Sequence, residues 1–124
     1  MAEHNLLGEE GEKIAIQYLK SKNYLIHHSN WRMGHLEVDI IADNGEEVVF
    51  VEVKTRSSDE FGAPEESVDE QKEKDLITVA DVYLERLNIE VPVRFDIIAI
   101  VLNEDSSYLT HYEDAFSDML VTPC

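Results

Sequence analysis

The 124-residue chain has the size of one domain with one core, and its 44% hydrophobic content is that of an ordinary folded protein. Its 27 acidic residues against 10 Lys and Arg give a formal net charge of −17, a field that repels phosphate backbones and disfavours bulk electrostatic binding of nucleic acid. No apolar run approaches the roughly 20 residues of a membrane-spanning helix, Met1-Ala2-Glu3-His4 does not open a signal peptide, and the single Cys124 leaves no internal disulfide; a cytoplasmic protein without membrane contact is expected.

Residues 6 to 22 predict a helix, because Leu7, Ile14, Ala15, Tyr18 and Leu19 recur at three- and four-residue spacing. Glu12 lies near the buried edge of that stripe. A carboxylate early in a helix is also what the helix dipole favours, so a capping role and a functional role stand level at this point. Asn23 is suited to end the helix in a left-handed conformation. Tyr24 to Ser29 predict a short strand, in which His27 and His28 face opposite ways and cannot chelate together. With His4, His35 and His111 scattered elsewhere, zinc-ligand spacing is absent. Asn30-Trp31-Arg32-Met33-Gly34 is expected to be a connecting loop whose Trp31 closes one end of the core.

Leu36 to Ala42 and Glu46 to Lys54 are apolar, β-branched runs separated by Asp43-Asn44-Gly45, a hairpin signal. Strand alternation puts Val49, Val51 and Val53 on one face and Val48, Phe50, Glu52 and Lys54 on the other. A two-residue loop also brings Asp39 to the Glu52 face. Two registers are open. An Asn44-Gly45 loop sets Glu37 opposite Glu52, whereas a Gly45-Glu46 loop sets Asp39 opposite Glu52. The second puts two carboxylates about 5 Å apart at Cβ, which is favourable with a cation between them.

Ser57 to Pro64 form a polar loop, either a flap over the charged strand or a plain surface connection. Ser67-Val68-Asp69-Glu70 has capping-box spacing and opens a second helix to about residue 87, with Leu76, Val79, Ala80, Tyr83 and Leu87 as its stripe. Lys72 falls on the core side of its start, placed either to reach a phosphate or to snorkel outward. Val93 to Leu102 predict a strand buried on both faces at the sheet centre, Tyr108 to Tyr112 a last strand, and Glu113 to Leu120 a helical turn or frayed tail. The order is α, three strands, α, two strands: an α/β fold with a mixed sheet.

An aspartate on one strand, a glutamate on the next and a lysine two residues on suit metal-assisted phosphodiester hydrolysis. Asp39, Glu52 and the Val53 carbonyl form an oxygen donor set for Mg2+ or Mn2+. Lys54 is placed to orient water or to neutralise charge on a phosphorane. The competing account is a buried ion pair of Lys54 with Glu52 or Asp39, but such pairs rarely add net stability.

Asn30-Trp31-Arg32, Glu37 to Ala42, Val49 to Arg56, Phe61-Gly62-Ala63-Pro64 and Arg94-Phe95-Asp96, with Gly11-Glu12 upstream, together resemble the YraN-like family of the PD-(D/E)xK nuclease superfamily, relatives of restriction endonucleases and archaeal Holliday junction resolvases. The resemblance spans about residues 6 to 102 and implies a restriction-endonuclease-like α-β-β-β-α-β core within one domain, residues 1–124, with the C-terminal strand and tail at 103–124. It implies Asp39 and Glu52 as metal ligands, Lys54 as the catalytic lysine and Glu12 as a helix-borne acid beside the metal, and Lys72 falls where the family has a lysine at the start of its second helix. Lys72, Arg56 and Arg32 are the expected nucleic-acid contacts. The expected activity is a metal-dependent endonuclease acting on DNA, branched DNA included, in a homodimer such as resolvases form. The acidic balance supplies the alternative: a nuclease-fold module that works through a basic protein partner.

Overall fold

The computed structural model describes residues 2–57 and 69–117, with side chains from Leu6 onward. In chain order the elements are α1 (Ala2–Ser21), β1 (Leu25–Met33), β2 (Leu36–Asp43), β3 (Val48–Arg56), α2 (Glu70–Leu87), β4 (Val93–Leu102) and β5 (Ser107–Phe116). The strands form a single five-stranded sheet in the order β1-β2-β3-β4-β5. All neighbours are antiparallel except β3 and β4, which are parallel because α2 carries the chain back across the sheet between them.

Each sheet face is covered by one helix. Leu76, Val79, Ala80 and Tyr83 of α2 pack on Val38, Ile41, Val48, Phe50 and Phe95. Ala15 and Leu19 of α1 pack on Ile40, Ala42, Val49, Val51, Ile98 and Ile100. The valines of β3 thus divide between the faces as strand alternation requires. Val38 and Ile41 are three residues apart yet share a cluster, so the alternation of β2 breaks between them, where Asp39 sits.

Several expectations change. The first strand runs on through Asn30-Trp31-Arg32, the stretch expected to be a loop, because Trp31 and Met33 gain cross-strand partners in Val38 and Leu36. Trp31 does close one end of the core, edge-on to Tyr83 at 5.5 Å between ring centres. The chain from Glu113 to Phe116 continues β5, where β4 supplies a partner, and is not a helical turn; residues 118–124 lie outside the described residues. α2 starts at Glu70 with Asp69, not Ser67, as its cap: the Asp69 carboxylate accepts from the Lys72 amide at 2.8 Å. Ser67 and most of the 57–64 loop lie outside the described residues. β4 is buried on both faces as expected, but β3 holds the sheet centre.

Asn23 and Asn88 both follow helices in the left-handed conformation (φ 70° and 56°). The β2–β3 hairpin takes the second of the two registers, with Ile40 opposite Val51 and Asp43 opposite Val48. Its Gly45-Glu46 loop has Gly45 at φ 96°, which a Cβ would strain, and Asn44 Oδ1 accepts from the amides of Glu46 and Glu47 at 2.9 and 2.8 Å.

Candidate active site

Glu52 is the central group. It lies on the α2 face of β3, 5% exposed, one of two buried charged or polar residues among the described ones. Lys54, two residues on and so on the same face, sets Nζ 3.5 Å from Glu52 Oε2. Lys72, in the first turn of α2, sets Nζ 3.6 Å from Oε1 and donates to the Glu37 carbonyl oxygen at 3.3 Å. Lys72 therefore points inward and does not snorkel. Both ammonium groups stand at the outer limit of direct contact with Glu52, and Oε1 is buried with no hydrogen-bond partner. An orphaned carboxylate oxygen is costly unless something else occupies its lone pairs.

Asp39 faces this group from β2. Continuing the hairpin register sets it opposite Glu52, and the two carboxyl groups are close enough to share a proton. The second Asp39 oxygen accepts from the Val53 amide at 2.7 Å, so a side chain takes up a backbone donor where the alternation of β2 breaks. Burial pushes the Glu52 carboxyl up to about 7, with the Asp39 charge adding to the effect and Lys72 and Lys54 offsetting part of it. Burial also raises Asp39, against the opposing pull of the Val53 amide and Lys72. In the absence of a cation the pair thus favours holding a proton.

Glu12 reaches the same region from the other side of the sheet. α1 begins at Ala2, which places Glu12 well beyond the first turn and removes the capping explanation. Gly11 brings it close: a Cβ there would lie 1.8 Å from Thr55 Oγ1, so only glycine lets α1 approach β3 at this point. Burial raises the Glu12 carboxyl and the Asp39 charge raises it further, while the nearby Asn30 side chain lowers it.

Asp39, Glu52, Lys54 and Lys72 come together, with Glu12 beside Asp39. Arg32 does not join them; its exposed guanidinium pairs with Glu37 at 3.2 Å. Arg56 ends β3, half-buried, two residues beyond Lys54. His27 pairs with Asp43 at 2.5 Å and His28 stacks edge-on to Tyr83, so the adjacent histidines do face different neighbours. Among the described residues no group of three or more His, Cys, Asp or Glu is arranged to hold a metal ion. The Asp39/Glu52 pair is a smaller set of two facing carboxylates.

The sequence pattern gives no role to His111, and Arg94 and Asp96 stand out in it only through the family resemblance. Asp96 is fully buried on the α1 face and accepts from Arg94 Nε and Nη2 at 2.9 and 2.8 Å, from the Asp114 amide at 3.0 Å, and contacts His111 Nε2 at 2.6 Å. Arg94 also reaches Tyr24 Oη at 2.6 Å and Glu47 at 3.2 Å, and Tyr18 Oη lies 3.1 Å from His111 Nδ1. Burial alone would raise Asp96, but its bonds to His111, Arg94 and the Asp114 amide outweigh it and hold the carboxyl below its ordinary range. The network locks β5, α1 and the hairpin turn onto β4. Alternation in Arg94-Phe95-Asp96, two charges flanking an aromatic in an apolar strand, was the available signal for it.

A family model described as "Uncharacterised protein family UPF0102" matches residues 11–100, a span that runs from Gly11 beside Glu12, through Asp39, Glu52 and Lys54, to the end of the buried strand β4. The chain belongs to the UPF0102 family. Curated UPF0102 proteins are similar over nearly their whole length: one from Bacteroides thetaiotaomicron is 49% identical over 116 residues, covering 94% of this chain and 96% of the relative. A UPF0102 protein from Bacteroides fragilis is 45% identical over the same shares, and one from Christiangramia forsetii 45% identical over 94% of this chain and 98% of its own. The UPF0102 match agrees with the YraN-like resemblance read from the sequence. The five-stranded mixed sheet with one parallel pair and two helices is consistent with a restriction-endonuclease-like core in this UPF0102 protein. No helix among the described residues is long and apolar enough to cross a membrane.

Proposed function

We propose that this UPF0102 protein is a metal-dependent endonuclease that hydrolyses phosphodiester bonds of DNA, with four-way junctions the first branched substrate to test. The observation that carries this reading is Glu52: a carboxylate buried to 5% exposure, facing a second carboxylate, with one oxygen left without a hydrogen-bond partner. Burying two acids together costs several kcal/mol in the absence of a cation, and an arrangement so unfavourable for folding points to a use.

Asp39, Glu52 and the Val53 carbonyl would hold Mg2+ or Mn2+, hard cations suited to oxygen donors. Bound there, such an ion lowers the pKa of water and offsets charge on a phosphate. The protein groups have separate tasks. The Val53 amide fixes one Asp39 oxygen so that the other is presented toward Glu52. Lys54, anchored by Glu52, projects a donor toward the half-exposed side of the site, where it can hold the attacking water or a non-bridging phosphate oxygen. Lys72, tethered to the Glu37 carbonyl, supplies a second fixed positive charge for the scissile phosphate. Glu12 stands on the far side of Asp39, placed to accept a proton from water.

The net charge of −17 favours a second reading, a non-catalytic nuclease-fold module that docks a basic protein partner. Mn2+ calorimetry separates the two. The nuclease reading expects binding by wild type and loss with Asp39→Ala; no binding by wild type refutes it. Cleavage of duplex, single-stranded and four-way-junction DNA at low salt then tests the chemistry. Lys54→Ala is expected to lower the rate by about 100-fold or more, and equal activity in the two proteins removes the lysine from the mechanism.

A further inference from the structure

Asn30 is an anomaly inside a strand. Its φ of 53° is left-handed, in a stretch of β1 flanked by paired residues: Ser29 opposite Ile40 and Trp31 opposite Val38. Asn23 and Asn88 have similar angles, but each follows a helix, where this conformation is routine. A left-handed residue within a strand costs on the order of 1 kcal/mol and persists only when something fixes it. The flanking register puts Asn30 across from Asp39, at the break in alternation of β2.

The side chains of Asn30 and Glu12 line one cavity between α1 and β1, and the Asn30 amide is near enough to favour the charged form of the Glu12 carboxyl. The other left-handed residue within a strand has a parallel role: Asp114, at φ 54° in β5, directs its amide onto the buried carboxylate of Asp96. In β5 the turned backbone gives its amide to an acid, and in β1 it sets a side-chain amide in the same cavity wall as an acid from α1. The two acids differ in their surroundings. Asp96 is enclosed by Arg94 and His111, whereas Glu12 is half-buried, repelled by Asp39, and borders a cavity of about 240 Å³ lined by Glu9, Lys13, Ile16, Ser29 and Asn30. A flexible glutamate so placed would swing away from Asp39 toward solvent unless a neutral donor held it.

We propose that Asn30 is a positioning residue of the active site, its side-chain amide holding the Glu12 carboxylate beside Asp39 while the adjoining cavity leaves that carboxylate open to water. The proposal rests on the nuclease reading above and deepens it: Glu12 works only as aimed by β1, so Asn30 and Glu12 form one functional unit. Neither Glu37, which pairs with Arg32, nor Glu9, which repels Glu12, can replace a neutral donor here.

A double-mutant cycle on the intact chain tests it. Asn30→Gly keeps the left-handed backbone and deletes the amide, Asn30→Asp keeps the shape and the tolerance of positive φ but replaces the donor with an acceptor, and Glu12→Gln removes the acid. Mn2+ affinity by calorimetry and single-turnover DNA cleavage are read for each, with thermal unfolding to confirm folding. Groups that orient ligands beside a metal typically carry about 10- to 100-fold in affinity or rate. Losses of that size are expected in Asn30→Gly and Glu12→Gln, a loss at least as large in Asn30→Asp, and no further loss in the Asn30→Gly/Glu12→Gln double variant. Losses that multiply in the double variant, or wild-type values in Asn30→Gly or Asn30→Asp, overturn the proposal and leave the nuclease reading standing. A wild type that neither binds Mn2+ nor cleaves overturns both.

Discussion

Glu52→Gln tests whether the central carboxylate is there for stability or for a cation. In the wild type without metal, burial and Asp39 move Glu52 from 4.5 to about 7. At about 1.4 kcal/mol for each tenfold change in proton affinity, this corresponds to about 3 kcal/mol of stability linked to protonation of one group. Because the folded-state value is raised, that stability is fully present below about pH 4.5 and is lost as the pH rises through about 7. Glutamine fits the same space and does not ionise, so this portion of the pH dependence should vanish. Urea unfolding in chelator should find Glu52→Gln more stable than wild type by about 2–3 kcal/mol at pH 8, with the gap narrowing toward pH 5. Excess Mn2+ should then reverse the order by stabilising wild type alone, by about 2.7 kcal/mol at one hundred times the dissociation constant. The reasoning fails if Glu52→Gln is the less stable protein at pH 8 without metal. In that case the Lys54 and Lys72 contacts at 3.5 and 3.6 Å outweigh burial, and Glu52 is a structural ion-pair partner.

Three further outcomes follow from the packing and the charges. Gly11→Ala drives a methyl group onto Thr55 and should cost about 1–3 kcal/mol in urea unfolding; Thr55→Ala in the same chain should recover part of it, since the Thr55 Cβ would still lie 2.8 Å away. Asp96→Asn removes the buried charge that faces Arg94 and should cost about 3 kcal/mol, the low end for a broken buried pair because Glu47 at 3.2 Å still faces the guanidinium. Because Asp96 is held below its ordinary range, its contribution is present at neutral pH and lost on acidification, so Asp96→Asn should also flatten the acid limb of the stability profile. Finally, DNA binding carried by Lys54, Lys72, Arg56 and Arg32 alone should show a plot of log K against log salt no steeper than about −4; a steeper slope would mean a wider basic surface than these four side chains supply.

Much of the site was legible because β-strand alternation is rigid. Once Glu52 and Lys54 stand two residues apart in an apolar strand, they must share a face, and either two-residue loop carries Asp39 to that face; which of the two registers forms, both containing Gly45, was decided by the fold. Lys72 was placed on the correct side of α2 by helical periodicity, but whether it snorkelled was settled by the nearness of the Glu37 carbonyl and Glu52. The length of β1 was misread because Asn30-Trp31-Arg32 has turn-like composition, and only pairing with β2 makes it a strand. The end of β5 was misread for the same reason, its strand character coming from β4.

By itself the sequence determined the mixed α/β order, the face shared by Glu52 and Lys54, and the left-handed stop after the first helix. These depend on the fixed periods of helix and strand and on the tolerance of asparagine for positive φ. The tertiary structure alone decided how far α1 extends beyond Glu12, how closely Gly11 lets it approach β3, the break in β2 that turns Asp39 onto the Val53 amide, and the Arg94–Asp96–His111 network. Each of these depends on contacts between elements distant in sequence, where burial and backbone pairing outweigh local preference.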